Sequence, residues 1–480
     1  MTKITQLEPQ RVFYYFEEIS KIPHGSEDME KISQYCMDFA KTHKLKAIRD
    51  EANNVVIYKD ASQGYENSEP VILQGHLDMV CQKEEGLDFD FKNDALELFV
   101  DGDFLRAKGT TLGADNGIAV AFILSILEDN TLCHPPIEAV FTTDEEIGMI
   151  GAKALDTSIL NGKRMFNLDA EEPDTLTVSC AGGSDFKMSI PLKRVSKTSK
   201  TLTLTLKGLK GGHSGVEINK GRVNANKLLS RILNHIKDMC DFDVISLDGG
   251  DKGNAIPLLS KAVFAVNDVD TLRCALIPCL EEIKTEISQR EENFSYLLEE
   301  GEEKDNEIIE KELLKKIIFV LTTSPNGVIQ MSAGIEGLVE TSLNLGILET
   351  KNDKMTMLFS LRSNISSALA ALEKQLFTLS ECIECEATAD GHYPPWEYRK
   401  NSQLQSLYKE VYTKKFNKEP QIVAIHAGLE CGVFASGIKD LDCISFGPLL
   451  LDVHTTGEKM SISSAKEIYE LLVELLEHSR

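Results

Sequence analysis

The sequence predicts an α/β domain with a mixed sheet, interrupted by an inserted α+β domain. The chain has 480 residues, which is long for a single hydrophobic core. Short apolar strands alternate with amphipathic helices up to "GG" at 182–183 and again after "YPPWEY", as in a sheet covered by helices on both faces. Between these points apolar and polar residues alternate with period two, as in antiparallel strands. We therefore expect one discontinuous domain, residues 1–182 plus 391–480, and an inserted domain, residues 183–390.

The first part of the chain begins with two predicted helices. They are "QRVFYYFEEISKI" and "SEDMEKISQYCMDFAKTH", with Ser26 as the N-cap of the second. The segment "GADNGIAVAFILSILED" predicts an apolar helix capped by Asp115 or Asn116. Strands are predicted at "NVVIYK", "PVILQGHLD", "DFLRAKG", "PPIEAVFTTD", "KRMFNLDAEE" and "DTLTVSC".

The inserted part combines strands with helices. The segments "DFKMSIPLKR" and "KTLTLTLKGL" predict strands, and "SLNLGILETKNDKMTMLFSLRS" predicts a hairpin. Residues 272–300 predict one continuous helix, followed by an acidic turn and a second helix at "GEEKDNEIIEKELLKKIIFVL". We interpret that acidic cluster as a solvated face rather than a metal site. Cys382 and Cys385 form a C-x-x-C pair that we place on a strand.

Composition narrows the class of protein. The net charge of −25 argues against a nucleic-acid backbone or an anionic membrane as the main partner. The start, "MTKITQLEPQ", lacks the features of a signal peptide, and the longest apolar run, "GIAVAFILSIL", is too short to span a membrane. Eleven cysteines, odd in number and dispersed, favour reduced thiols in a cytoplasmic protein.

Polar residues follow several of the predicted apolar strands. Alone, each has an ordinary explanation, such as a solvated strand end, a helix cap or an exposed loop histidine. In a doubly wound sheet, however, the carboxyl ends of the strands meet at one edge. The candidates are His76 with Asp78, Asp115, either Glu145 or Glu146, Asp169 and His454.

Two histidines and three carboxylates suit a borderline cation such as zinc, cobalt or manganese. That is too much negative charge for one catalytic zinc, so two ions bridged by a carboxylate fit better. One of Glu145 and Glu146 then remains outside the ligand set. Spacing alone does not decide which.

The order of the motifs resembles that of a known family. The motifs are "GHLDMV", "GTTLGADNGI", "TTDEEIGMIGA", "NLDAEE", "GGHSG" and "DVHTTGE", and they extend over most of the chain. They resemble those of the M20 family of cocatalytic zinc metallopeptidases, and "HSGVEINKGRVNANKLL" and "HAGLECGVF" resemble its dipeptidase branch. The resemblance implies a zinc-exopeptidase fold of the phosphorylase/hydrolase-like type with an enlarged lid domain.

The resemblance also implies roles for the candidate residues. His76 and Asp169 would hold one zinc, Glu146 and His454 the other, and Asp115 would bridge them. Asp78 would orient His76, and Glu145 would be the general base. In the inserted domain, His213 would stabilise the oxyanion, while Asn254 and Arg362 would contact the substrate.

The expected activity is hydrolysis of unblocked dipeptides, including Xaa-His, by a cytoplasmic enzyme that forms a homodimer. Two alternatives remain open. A tripeptidase or an N-acyl-amino-acid deacylase could use the same metal core, and a non-catalytic binding protein could keep the fold.

Overall fold

The computed structural model describes residues 4–480. Its helices are α1 Gln10–Ser20, α2 Glu30–Thr42, α3 Ala114–Glu128, α4 Ile150–Ala154, α5 Ala225–Ile236, α6 Val269–Ile287, α7 Lys311–Thr323, α8 Ser366–Cys382, α9 Gln403–Phe416, α10 Glu430–Gly437 and α11 Ile462–Glu477. Its strands are β1 Lys46–Arg49, β2 Val55–Lys59, β3 Val71–His76, β4 Leu98–Asp101, β5 Phe104–Ala107, β6 Ile137–Thr142, β7 Arg164–Asn167, β8 Thr175–Cys180, β9 Gly182–Pro191, β10 Arg194–Lys207, β11 Gly212–His213, β12 Asp243–Gly249, β13 Ala255–Ile256, β14 Ser260–Val266, β15 Ser295–Ile309, β16 Gly327–Met331, β17 Val339–Lys351, β18 Lys354–Ser363, β19 Glu386–Tyr393, β20 Gln421–Ile425, β21 Asp442–Ser445, β22 Leu450–Leu451 and β23 Lys459–Ser461.

The chain divides into two compact units. The first comprises the described residues up to Cys180, together with Tyr398–Ala424 and Leu429–Arg480. The second, which we call the inserted unit, comprises Ala181–Glu397 and Ile425–Gly428. Among the described residues, no helix has the length and apolar character needed to cross a membrane.

The first unit is built on a mixed eight-stranded sheet in the order β1-β2-β6-β3-β7-β21-β8-β20. Strands β6, β3, β7 and β21 are parallel neighbours, whereas β1, β2 and β6 pair in antiparallel fashion. Every residue of β3 and β6 is buried, as expected for strands covered on both faces. Helix α3 is buried along nearly its whole length because its sequence is apolar on all sides. The predicted α/β class is confirmed.

The inserted unit contains a nine-stranded sheet in the order β15-β10-β14-β12-β17-β18-β9-β19, with β16 beside β17. Its recorded strand pairs are antiparallel, as the period-two alternation predicts. Apolar side chains from the sheet and from α5, α6, α7 and α8 form one core. The hairpin predicted around "KND" is confirmed as β17 and β18.

Two predictions in the inserted unit are wrong. Residues 272–300 do not form one helix, because α6 ends at Ile287 and the acidic segment forms strand β15, which pairs with β10. Strand β15 lies at the edge of the sheet, where charged side chains face solvent and discourage pairing with other chains. The C-x-x-C pair is not on a strand either. Cys382 ends α8 and Cys385 precedes β19.

Candidate active site

The parallel strands β3, β6 and β7 bring several of the predicted site residues to one edge of the sheet. In their register His76 pairs with Thr142, and Gln74 pairs with Asn167. The strands therefore end at a common level. The segments that follow them carry Asp78, Glu145 with Glu146, and Asp169.

The five residues predicted as metal ligands lie together around Asp115. One of its carboxylate oxygens, Oδ1, is 3.2 Å from Nε2 of His76, and the other, Oδ2, is 3.1 Å from Nε2 of His454. Asp169 Oδ1 is 3.5 Å from Nε2 of His76. Glu146 Oε1 is 2.9 Å from Nε2 of His454. The cluster therefore has two halves that share one carboxylate.

The composition and electrostatics of this cluster fit a metal centre. Ligand atoms of His76, Asp115 and Glu146 all lie within 4.8 Å of one another. Burial by itself lowers the pKa of His76, but hydrogen bonds with Asp115 and Asp169 raise it well above its ordinary value. Hydrogen bonds with Asp115 and Glu146 raise the pKa of His454 to about 11. The carboxylates thus require compensating positive charge, which either imidazolium protons or metal cations supply.

Asp115 and Asn116 do not cap α3 as predicted. Gly113 occupies the N-cap position without a side-chain cap, and the backbone of both residues is non-helical. The Asn116 side chain instead accepts a hydrogen bond from His76 N at 3.2 Å and donates one to Leu168 O at 2.8 Å. Asn116 therefore ties the ends of β3 and β7 to the segment that carries Asp115.

Glu145 lies beside the cluster, and within the described part of the chain its carboxylate forms no ion pair with either histidine. Burial raises its pKa well above the ordinary value, and the nearby carboxylates of Asp169, Glu430 and Glu146 raise it further. A carboxyl group with this property holds a proton readily, as a group that accepts and returns protons must.

Asp78 contacts His76 through both its main chain and its carboxylate. His76 Nδ1 lies 2.9 Å from the main-chain carbonyl oxygen of Asp78 and 3.4 Å from Oδ1. The carboxylate accepts hydrogen bonds from the backbone N–H groups of Glu145 at 3.0 Å and Glu146 at 3.2 Å. Asp78 thus fixes the backbone of both glutamates as well as contacting the histidine.

Ser26 does not cap α2, which begins at Glu30 after Met29. Its hydroxyl donates to Asp78 Oδ2 at 2.9 Å instead. Asp144 has a related supporting role, because its Oδ1 accepts the backbone N–H of Glu27 at 2.6 Å. The loop at residues 24–29 is therefore hydrogen-bonded to both acidic segments of the site.

A buried network behind the site was not predicted from the sequence. Glu430 is fully buried, and its Oε2 accepts hydrogen bonds from Gln74 Nε2 at 2.5 Å and Thr142 Oγ1 at 2.7 Å. Asn167 Nδ2 donates to Gln74 Oε1 at 2.5 Å. Burial raises the pKa of Glu430 to about 8. The only available signal was an acidic residue flanked by the mostly apolar residues of "AGLECGVF".

The fold and the site together define a metal-dependent hydrolase class, since histidines and carboxylates converge at the carboxyl edge of a parallel sheet beside a spare glutamate. Comparison with known proteins agrees. The chain belongs to peptidase family M20/M25/M40, whose model matches residues 72–478.

Relatives in this family include dipeptidases. The chain is 39% identical to the cytosol non-specific dipeptidase of Escherichia coli K12 over 480 residues, covering 99% of each chain. It also matches the crystal structure of aminoacylhistidine dipeptidase from Vibrio alginolyticus, with a TM-score of 0.93, 37% identity and coverage of 99% and 98% of the two chains. A tripeptidase from Staphylococcus aureus, with a TM-score of 0.57, 15% identity and coverage of 98% and 99%, shares the fold alone.

Proposed function

We propose that this protein is a cytoplasmic metallo-dipeptidase that hydrolyses unblocked dipeptides, including Xaa-His. The observation that carries the proposal is the cluster in which Asp115 lies between His76 and His454, with Glu145 beside it. Extensive identity to a named dipeptidase along the whole chain supports the substrate class.

We propose that His76 and Asp169 hold one divalent ion, that Glu146 and His454 hold a second, and that Asp115 bridges them. The mixture of imidazole and carboxylate donors favours zinc, with cobalt or manganese as alternatives. Such ions would lower the pKa of a bound water and polarise the peptide carbonyl group.

In this mechanism Glu145 is the general base. It removes a proton from the attacking water and then delivers a proton to the amine that leaves when the peptide C–N bond breaks. Asp78 supports this role through the backbone N–H of Glu145.

In the inserted unit, we propose that His213 donates a hydrogen bond to the developing oxyanion. The backbone N–H groups of Gly215 and Val216 lie 3.1 and 3.3 Å from His213 Nδ1. That nitrogen is therefore the acceptor, and the ring proton of the neutral form is on Nε2. Burial lowers the pKa of His213, which favours this neutral form. A neutral imidazole with an N–H group is a suitable oxyanion donor.

We further propose that Arg362 and Asn254 bind the carboxyl-terminal half of the dipeptide. Both line a cavity of about 350 Å³ in the inserted unit, together with Asp185 and Tyr393. Arg362 Nη1 donates to Tyr393 Oη at 3.1 Å, whereas its buried Nε has no hydrogen-bond partner among the described residues. A guanidinium group that lines a cavity is suited to a carboxylate, because its planar set of donors matches the two carboxylate oxygens.

Replacing Arg362 by Lys is expected to raise KM for dipeptides by about 10- to 100-fold, with a smaller change in kcat. The reason is that a charge-assisted hydrogen bond contributes about 1.5–3 kcal/mol. Steady-state kinetics on dipeptides and on dipeptides with an amidated carboxyl terminus measure this effect. Because the amidated substrates lack the carboxylate, wild type and variant should have similar KM values for them. Arg194→Lys is the matched control because Arg194 donates to the main-chain carbonyls of Asn352 and Glu307 in the same sheet. An unchanged KM for Arg362→Lys would contradict the assignment.

Removing the metal with a chelator is expected to abolish dipeptide hydrolysis, and added divalent ions are expected to restore it. Assays should compare a panel of unblocked dipeptides with tripeptides and N-acetylated amino acids. Cleavage of N-acetylated amino acids as fast as unblocked dipeptides would favour a deacylase, and preferential cleavage of tripeptides would favour a tripeptidase. Chelator-resistant activity would contradict the metal mechanism. Fewer than about one divalent ion per chain would favour a non-catalytic protein.

We also propose that the protein is a homodimer. Exposed apolar side chains of the inserted unit support this: Val216, Leu258, Leu259, Ile329 and Met331. Sedimentation equilibrium measures the mass directly, and a mass equal to one chain across the micromolar range would contradict the proposal.

A further inference from the structure

The carboxylate of Glu458 is buried in the first unit and accepts hydrogen bonds from consecutive backbone N–H groups. Glu458 is only 3% exposed. Its Oε2 accepts from Leu112 N at 2.7 Å and Gly113 N at 3.1 Å, and its Oε1 accepts from Ala114 N at 2.8 Å and Asp115 N at 3.4 Å. Because an uncompensated buried carboxylate is costly, so complete a set of donors indicates that the local chain geometry is built around this side chain.

The segment that supplies these donors has a sharply constrained turn. Gly113 has a φ of +68°, in the left-handed region that favours glycine. A Cβ atom there would lie 2.8 Å from Met79 Sδ. This backbone turn lets successive N–H groups converge on a single carboxylate, as in other anion-binding nests. Asp115, the residue between the two histidines, ends the segment.

Glu458 itself belongs to the loop that carries His454, so its side chain joins this loop to the 112–115 segment. Glu458 lies four residues after that histidine. Within the loop, Glu458 N donates to Thr455 O at 3.1 Å, and Lys459 Nζ lies 3.1 Å from Asp452 Oδ2. The loop is therefore braced internally. The Glu458 side chain then attaches it to the backbone of the Asp115 segment.

We propose that Glu458 is a positioning residue that fixes the distance between Asp115 and His454 and thereby sets the affinity of the site for metal. It contacts neither metal nor substrate in this proposal. The two side chains lie 3.1 Å apart, and both of their loops are held by this one carboxylate. The inference rests on the proposed metal function of these two residues.

The experiment compares Glu458→Gln with a matched control, Glu138→Gln. Glu138 is also 3% exposed, and its carboxylate accepts the backbone N–H groups of Asn161 at 3.0 Å and Gly162 at 2.9 Å, but it lies in β6 four residues before the end of that strand. In either variant the Gln amide replaces one acceptor oxygen by an NH₂ donor. Both variants therefore lose a side-chain oxygen that accepts hydrogen bonds from backbone N–H groups. Metal-depleted proteins are titrated with Zn²⁺ and with Co²⁺ against a chromophoric chelator, and the melting temperature is measured without metal.

Glu458→Gln is expected to weaken metal binding by about 10- to 100-fold, the usual effect of removing a group that orients metal ligands. Glu138→Gln is expected to lower the melting temperature while leaving metal affinity within about threefold of wild type, because distant sites act independently. Unchanged affinity in Glu458→Gln, or an equal loss in both variants, would overturn the proposal. If Glu458→Gln does not fold, the same metal titration is made with Glu458→Asp. Its carboxylate is one methylene group short of the backbone N–H groups, so weaker metal binding is again expected. A wild type that binds neither ion would refute the proposed function itself, which separates the two failures.

Discussion

Replacing Glu145 by Gln is expected to lower kcat by about 10²- to 10⁴-fold while the bound metal content stays at the wild-type level. That range is the usual contribution of a positioned general acid–base. Gln has nearly the same shape as Glu but cannot take a proton from water. The backbone N–H of Glu145 can still donate to Asp78, so the local fold should persist.

The neighbouring acid provides a control for this experiment. Asp144→Asn makes the same carboxylate-to-amide replacement one residue away, and Asp144 contacts the backbone of Glu27 rather than a candidate ligand. We expect its kcat to remain within about tenfold of wild type, because a surface-proximal hydrogen bond contributes only about 1 kcal/mol. Metal analysis and steady-state kinetics on one dipeptide measure both variants. Full activity in Glu145→Gln would show that Glu145 is not the general base. Loss of bound metal in this variant would instead indicate that Glu145 is a metal ligand.

The electrostatic surroundings explain why adjacent acids at the end of β6 are compatible with a stable fold. Glu146 lies 2.9 Å from His454, and Glu145 has a pKa raised by burial and by nearby carboxylates. Asp144 is bonded to a backbone amide away from them. Each carboxylate therefore has its own means of lowering the repulsion, through a cationic neighbour, through proton uptake or through a hydrogen bond.

Much of the site was predictable because the relevant residues follow buried strands. The convergence of parallel strand ends depends on topology rather than on side-chain detail, so His76 and Asp169 could be grouped from the sequence. Asp115 and His454 instead follow β5 and β22, which belong to a separate antiparallel sheet, so the same argument does not explain their place in the cluster. The order of Glu145 and Glu146 could not be obtained in this way. Because Glu145 and Glu146 are consecutive residues after the same strand, topology places both at the site without distinguishing them. The assignment of Glu145 as base and Glu146 as ligand came from the resemblance to a family.

The supporting residues were not predictable for a different reason. Ser26, Glu430 and Glu458 act through partners distant in sequence, namely Asp78, Gln74 and the 112–115 segment. Local patterns report caps and periodicity, and for Ser26 they predicted a helix cap that the structure does not contain. The misplaced helix at residues 272–300 has the same origin. Pairing of β15 with β10 overrides the local helical pattern.

Replacing Asp115 by Asn is expected to have the second large effect, a loss of tightly bound metal together with at least about a 10³-fold fall in kcat/KM. Of the carboxylates in the described residues, Asp115 is the one that reaches both histidines, through Oδ1 and Oδ2. Asn offers a single acceptor oxygen and no charge, so it cannot serve both halves of the cluster. A loss of several kcal/mol of metal-dependent stabilisation corresponds to a rate decrease of this size.

Asp103→Asn is the matched control for this prediction. Asp103 also accepts hydrogen bonds through both oxygens, from Ser461 Oγ at 2.7 Å and Ser463 N at 3.1 Å, but it contacts no candidate ligand among the described residues. This variant should lose stability and keep both metal and activity, as judged by metal analysis after dialysis and by kinetics. If Asp115→Asn retained the wild-type metal content and rate, the two halves of the cluster would not share a ligand. The charge argument for a bridged pair of ions would then fail, because the remaining carboxylates could be divided between independent sites.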